Sequence, residues 1–306
     1  IVFLRGVINK LERSKAKMDG IIVINKPKNY TSHDIVRKVK KILNKKVGHT
    51  GTLDPNATGV LPLLIGKGTE LSKYLINHNK TYEAVLQLGE KRDTGDCEGN
   101  ILDSKPVQIE CLDKAKIQNI FQSLIGKQQQ IPPIYSAIKI NGKKLYEYAR
   151  KGEKVEIQPR EIEIYSLEII NINIEKKQIE FRVKCSKGTY IRTLCENIAE
   201  KLKTVGYMKE LKRTQVGEFE LKDAITIEEL ENLVNKNEDN KNFITIENYF
   251  KNAPSITLDE KRMKLFLNGV KLTFNTDDGI YKIYYNKSFV GTGIVNSKLL
   301  KRDIII

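Results

Sequence analysis

The chain has 306 residues, enough for two domains of ordinary size and a sizeable buried core. Hydrophobic residues make up 40% and charged residues 30%, which excludes a disordered or fibrous chain, and no apolar stretch approaches the roughly 18–20 residues of a membrane-spanning helix. A formal net charge of +15 calls for a polyanionic partner, most often nucleic acid, with a solvated Lys-rich surface as the bland alternative.

The chain opens Ile1-Val2-Phe3-Leu4-Arg5, and its first methionine is Met18. Residues 1–17 end in a basic run and lack the order of a signal peptide, so they are expected to be an N-terminal extension to a domain that begins at residue 18. Ile21-Ile22-Val23-Ile24 is a β-branched run, hence a buried strand, ended by the turn chemistry of Asn25-Lys26-Pro27-Lys28-Asn29. Thr31 and Ser32 are helix-capping types ahead of an apolar face of Ile35, Val36, Val39, Ile42 and Leu43, whose opposite face is basic. A glycine- and threonine-rich segment follows, 48–59, with Asp54 between Leu53 and Pro55. By itself an Asp-Pro pair reads as a turn, although the glycines also permit close approach of a ligand.

Val60 to Ile65 reads as a second buried run, and Tyr82 to Leu88 alternates as a half-buried strand. Asp93 to Gly99 lacks the spacing of a calcium loop and reads as a plain loop. A helix over 112–125 and a basic, Tyr-containing insertion over 127–156 come next. Strands are expected around 161–172 and 178–185, then a helix with Ile191, Leu194, Cys195, Ile198 and Leu202 inward. Asn235 to Asn242 is a polar loop or part of a linker, and short β-like runs after Lys251 indicate a small second domain at 252–306. Four cysteines without paired spacing, and three histidines, offer no metal site, so reduced thiols are expected.

The strings Asn25-Lys26-Pro27, Thr31-Ser32-His33-Asp34 and Gly48-His49-Thr50-Gly51-Thr52-Leu53-Asp54-Pro55 closely resemble motifs of the TruB family of tRNA pseudouridine synthases. Three further strings match in order: Lys80-Thr81-Tyr82, the run from Gln130 to Lys139, and Ser186-Lys187-Gly188-Thr189-Tyr190-Ile191-Arg192. The resemblance implies an α+β pseudouridine synthase fold at 18–250: a mixed, largely antiparallel sheet flanked by helices. A small PUA-like β-barrel is expected after it. It implies isomerisation of uridine 55 in the T arm of tRNA, without metal or cofactor, by a cytoplasmic monomer that needs no protein partner.

Asp54 is then the nucleophile, Arg192 its ionic partner that holds it charged, and Tyr82 the ring that stacks on the flipped uracil. Substrate contacts are expected at His49, Tyr190, Leu211, Lys26, Gly51 and Thr52. Whether Asp54 attacks uracil C6 or ribose C1′ is open at this level. A guide-RNA-dependent relative and a non-catalytic RNA chaperone are the rival readings, and both keep the basic surface.

Overall fold

The computed structural model describes residues 19–236 and 242–306; the expected extension at 1–17 lies outside them, as does the centre of the polar stretch from Asn235 to Asn242. Strand β1 (Gly20–Lys26) contains the β-branched run, with Ile21 to Ile24 all buried. It is apolar on both faces because both are covered. Ile22 and Ile24 pack with Ile35 and Val39 of helix α1 (Ser32–Leu43), while Ile21 and Val23 pack with Leu71 and Leu75 on the other side. Thr31 caps α1 as expected, in a reciprocal capping box with Asp34.

The main sheet further contains β2 (Val47–His49), β3 (Thr58–Ile65), β4 (Lys80–Leu88), β5 (Gly126–Gln130), β6 (Arg160–Asn173), β7 (Gln178–Cys185), β8 (Gly206–Val216), β9 (Phe219–Glu220) and β10 (Phe243–Thr245). Among the described residues its order is β10-β1-β3-β8-β4-β7-β6-β5, with β2 beside β3 and β9 beside β8. Every pairing is antiparallel except β3 with β8, so the sheet is mixed and largely antiparallel. Helices α2 (Lys114–Leu124) and α3 (Ile191–Lys201) cover one face of its β4-β7-β6 half, around Phe121, Phe181 and Ile198. Helices α1 and α4 (Ile227–Lys236) cover the β1-β3 half.

Two boundaries differ from the sequence reading. Residues 127–130 lie in β5 at the sheet edge, paired with β6, so the segment outside the sheet begins only after Gln130. It carries a two-stranded ribbon, Lys139–Ile140 with Lys143–Lys144, and a short helix, Leu145–Arg150, on which Lys144 and Arg150 lie over the Tyr146 ring. The second difference is β8, a central strand with no alternating signature. Its pairing with β4 shifts register at two irregularities, each of which turns the side-chain alternation over.

The C-terminal sheet comprises β11 (Ser255–Thr257), β12 (Leu272–Thr273), β13 (Gly279–Tyr285), β14 (Ser288–Asn296) and β15 (Leu299–Ile305), in the order β11-β13-β14-β15-β12. The path leaves its two ends unpaired, a half-barrel around Phe266, Ile283 and Leu300. It is docked on the main domain. Ile304 is buried with Ile21, Leu71 and Phe250, and the Asp303 carboxylate accepts from Tyr74 (2.6 Å) and Thr292 (2.9 Å) and pairs with Lys73.

Candidate active site

Asp54 sits in the loop between β2 and β3, and that loop is tied down from both sides. On one side the Leu53 N–H donates to Ser32 Oγ (2.8 Å), and the same hydroxyl donates back to Leu53 O (3.2 Å). Lys26 lies alongside, with no exposed surface. Its ammonium donates to the carbonyls of Pro27 (2.9 Å), Tyr30 (2.6 Å) and Pro55 (3.0 Å). All three donors are thus spent on backbone. Lys26, one of the expected substrate contacts, ties the exit of β1 to the Asp54 loop. Burial lowers its pKa to about 8, against the pull of Asp54.

On the other side stands Arg213, which the sequence reading passed over. It is 1% exposed and donates to Val60 O (2.8 Å), Gly51 O (3.1 Å) and Thr52 O (3.4 Å). Gly51 and Thr52, expected as substrate contacts, therefore offer their carbonyls to this guanidinium. Gly59 makes the approach possible: its φ is +103°, and a Cβ there would lie 2.2 Å from Arg213 O.

The Asp54 carboxylate faces Arg192 at the start of α3, Nε to Oδ2 3.2 Å. Arg192 is also held by the carbonyls of Thr94 and Tyr135, each at 3.0 Å, and stands 3.9 Å from Asp96 Oδ2. Asp96 in turn accepts from the Thr94 hydroxyl (2.6 Å) and the Glu98 N–H (3.1 Å). The 93–99 loop, read from sequence as a plain connection, thus aims the guanidinium. It meets the Asp54 loop directly, where Asn56 Nδ2 donates to Cys97 Sγ (3.6 Å).

The Arg192 side chain is 7% exposed and that of Asp54 37%, so the cation is fixed while the carboxylate keeps an open side. Burial pushes the Asp54 pKa above the ordinary carboxylate range; Arg192 pulls it down and Asp96 pushes it up again. Arg192, expected to face Asp54 and favour its charged form, does pull the pKa down, and burial pulls it the other way more strongly. The result is a carboxylate more basic than usual.

Tyr82 is buried in the same core cluster as Leu53, opposite Arg213 across β4 and β8. Burial raises its pKa against the charge of Arg213, so it stays protonated at neutral pH. Leu211 is half-buried against this cluster, opposite Ala84. His49 is half-buried on β2, and burial and then Arg213 lower its pKa, which keeps the imidazole neutral. Tyr190 caps α3, its backbone locked by both ends of the Gln130 amide (2.8 and 3.0 Å). The structure therefore brings Arg192 onto the Asp54 carboxylate and places Tyr82 and Leu211 in the core cluster of the neighbouring Leu53. Among the described residues no group of three His, Cys, Asp or Glu side chains could hold a metal ion, and no helix is long and apolar enough to cross a membrane.

The family model described as TruB family pseudouridylate synthase (N terminal domain) matches residues 39–191, and that of the tRNA pseudouridylate synthase B C-terminal domain matches 192–254. A tRNA pseudouridine synthase B from Caldanaerobacter subterraneus subsp. tengcongensis is 41% identical over 288 residues, 93% of this chain and 98% of its own. That of Francisella tularensis is 38% identical over 304 residues, 97% and 99% of the two chains. A chain from the crystal structure of a Cbf5-Nop10-Gar1 complex superposes with a TM-score of 0.65 at 24% identity, covering 97% of this chain and 85% of that one. This last likeness speaks for the fold alone. The expected α+β architecture with a PUA-like C-terminal half-barrel is the one observed.

Proposed function

We propose that this chain, which belongs to the TruB family of pseudouridylate synthases, isomerises uridine 55 in the T arm of tRNA with Asp54 as its nucleophile. The observation that carries the reading is the Asp54–Arg192 pair: a fixed cation at 3.2 Å, and a carboxylate with 37% of its side chain open to a ligand.

The reaction conserves every atom. The N1–C1′ bond breaks, the uracil turns, C5 bonds to C1′, C5 gives up its proton and N1 gains one. A nucleophile that holds one fragment splits this exchange into two easier steps. Asp54 suits that role because burial strips its solvation and raises its basicity. Arg192, aimed by the Thr94 and Tyr135 carbonyls, orients the carboxylate and balances its charge. Tyr82 lies against the base and, protonated at rest, passes its own proton on towards N1 as it takes the one from C5 in the last step. Leu53 and Leu211 exclude water, so the intermediate is not lost to hydrolysis.

The target base must leave its stack, at a cost of a few kcal/mol. His49 and Tyr190, at the rim, hold the extruded conformation, while the basic face of α1 and the segment after Gln130 grip the backbone. The enzyme acts as a monomer in the cytoplasm, where its substrate is.

Purified protein, without guide RNA, is given tRNA tritiated at uracil C5. Tritium release confined to the T-arm uridine, and lost in Asp54→Asn while tRNA binding persists, is the expected result. Release that survives in Asp54→Asn, or none from the native protein, overturns the reading.

A further inference from the structure

Strands β4 and β8, which carry Tyr82 and Leu211, wall with β7 a cavity of about 310 Å³ on their other face. Its lining includes Thr81 on β4, Lys184 on β7 and Gln215 on β8, together with Asn77, His78 and Asn79. Successive strand residues point to opposite faces, so Thr81 turns outward where Tyr82 turns inward. Gln215 follows suit because of the register shift between Arg213 and Gln215. Arg213 pairs with Tyr82 and faces the site, whereas Gln215 pairs with Thr81 and faces the cavity, 3.3 Å from its hydroxyl.

The cavity wall is built rather than accidental. Gln215 donates to Gly217 O (2.9 Å) and accepts from Thr81, which fixes the amide and leaves one donor and one lone pair free. Gly217, at φ +57°, admits the His78 ring, since a Cβ there would lie 2.2 Å from Nδ1. That nitrogen is buried with no hydrogen-bond partner. No carboxylate lines the cavity; Lys184 does, and Lys187 donates to the Oδ1 of the lining residue Asn77. Lys80 spans from this wall to the catalytic loop, donating to His78 O (2.7 Å) with its Cε 3.8 Å from the Cβ position of Gly51.

We propose that this cavity is a second RNA subsite that takes an unpaired nucleotide of the substrate, its phosphate at Lys184 and its base edge on the amides of Gln215 and Asn79. The inference rests on the reading that the substrate is RNA. Side-chain amides donate and accept together, as base edges do, and unpaired bases are the ones that proteins can reach in RNA. Lys80, which ties the cavity wall to the Asp54 loop, is the first residue of β4, so an RNA with its uridine at Asp54 has only the start of that strand to round before it reaches the cavity.

The test compares native protein with Lys184→Ala, Lys184→Arg and the double variant Lys184→Ala/Gln215→Ala. Dissociation constants for unmodified tRNA are measured over a salt series, and single-turnover tritium release at saturating enzyme. The double variant should bind about tenfold more weakly, and Lys184→Ala should reduce the slope of log K against log salt by about one, with Lys184→Arg restoring it. The rate at saturation should not change. Native affinity and slope in both alanine variants overturn the subsite, as does a fall in saturated rate at unchanged affinity. Failure of native protein to bind or isomerise tRNA overturns instead the reading beneath it.

Discussion

Two buried arginines flank the Asp54 loop and meet opposite kinds of partner. Arg213 donates to the carbonyls of Gly51, Thr52 and Val60, with no carboxylate against it. Arg192 faces the carboxylates of Asp54 and Asp96. The first holds the loop in place, and after burial, the larger cause, its charge further lowers the pKa of His49 and Lys80. The second has its charge answered where the reaction occurs. One side chain type serves as architecture on one side and as chemistry on the other, and the neighbouring acceptors decide which.

Substitutions should separate the two. Arg192→Lys replaces a forked cation by a point charge, and single-turnover tritium release should fall by about 10²–10³-fold. Urea unfolding of that variant should shift less than that of Arg213→Lys. Arg213→Lys gathers its donors at one point that cannot span the Val60, Thr52 and Gly51 carbonyls, and its stability should drop by about 2–4 kcal/mol in urea, with a smaller loss of rate per folded molecule. Equal rate losses in the two variants would erase the distinction.

The pH profile sharpens it. A raised Asp54 pKa means that the nucleophile takes up its proton before an ordinary carboxylate would, so single-turnover rate should fall on the acid side while pH is still above 3.8. Asp96→Asn removes a repulsion that raises this pKa, so its acid limb should move to lower pH. The smallest effect concerns Lys26. With a folded pKa of about 8 against 10.5 when exposed, the unfolded chain binds more protons between those values, so stability gains from this group as pH rises from 8 towards 10.5. Lys26→Met should lose that gain in urea titrations at pH 7.5 and 9.5.

The parts legible in the sequence are those whose reason for being is local. β1 shows in four consecutive β-branched residues, and α1 in a cap and an apolar stripe. Asp54 shows in a string of motif residues that lie side by side in the chain. Tyr82 and Arg192 are legible by motif alone; strand pairing puts the first opposite Arg213, and the packing of α3 on the sheet brings the second to Asp54. What stayed hidden is built from distance. Tyr135 and Thr94 serve Arg192 through backbone carbonyls, which no residue type announces, from 57 and 98 positions away. β8 hides because two register shifts break its alternation, and Arg213 within it reads as one more surface charge. Lys26 was legible as special but not as a clamp, since only the fold supplies its three acceptors.

The parallel seam between β3 and β8 also sets a timetable. Val60 and Arg213, bonded across it, are 153 positions apart. On its far side β6 and β7 are joined through residues 174–177 alone, a short loop that closes cheaply and soon. Joining the two halves closes a loop many times longer, the kind of contact that folding makes slowly. At about 5–20 residues per second, a ribosome needs roughly 10–30 s after adding Val60 to reach Arg213. Until then the loop that carries Asp54 lacks its inner wall, so a growing chain cannot complete the Asp54 site before about two thirds of its length has been made.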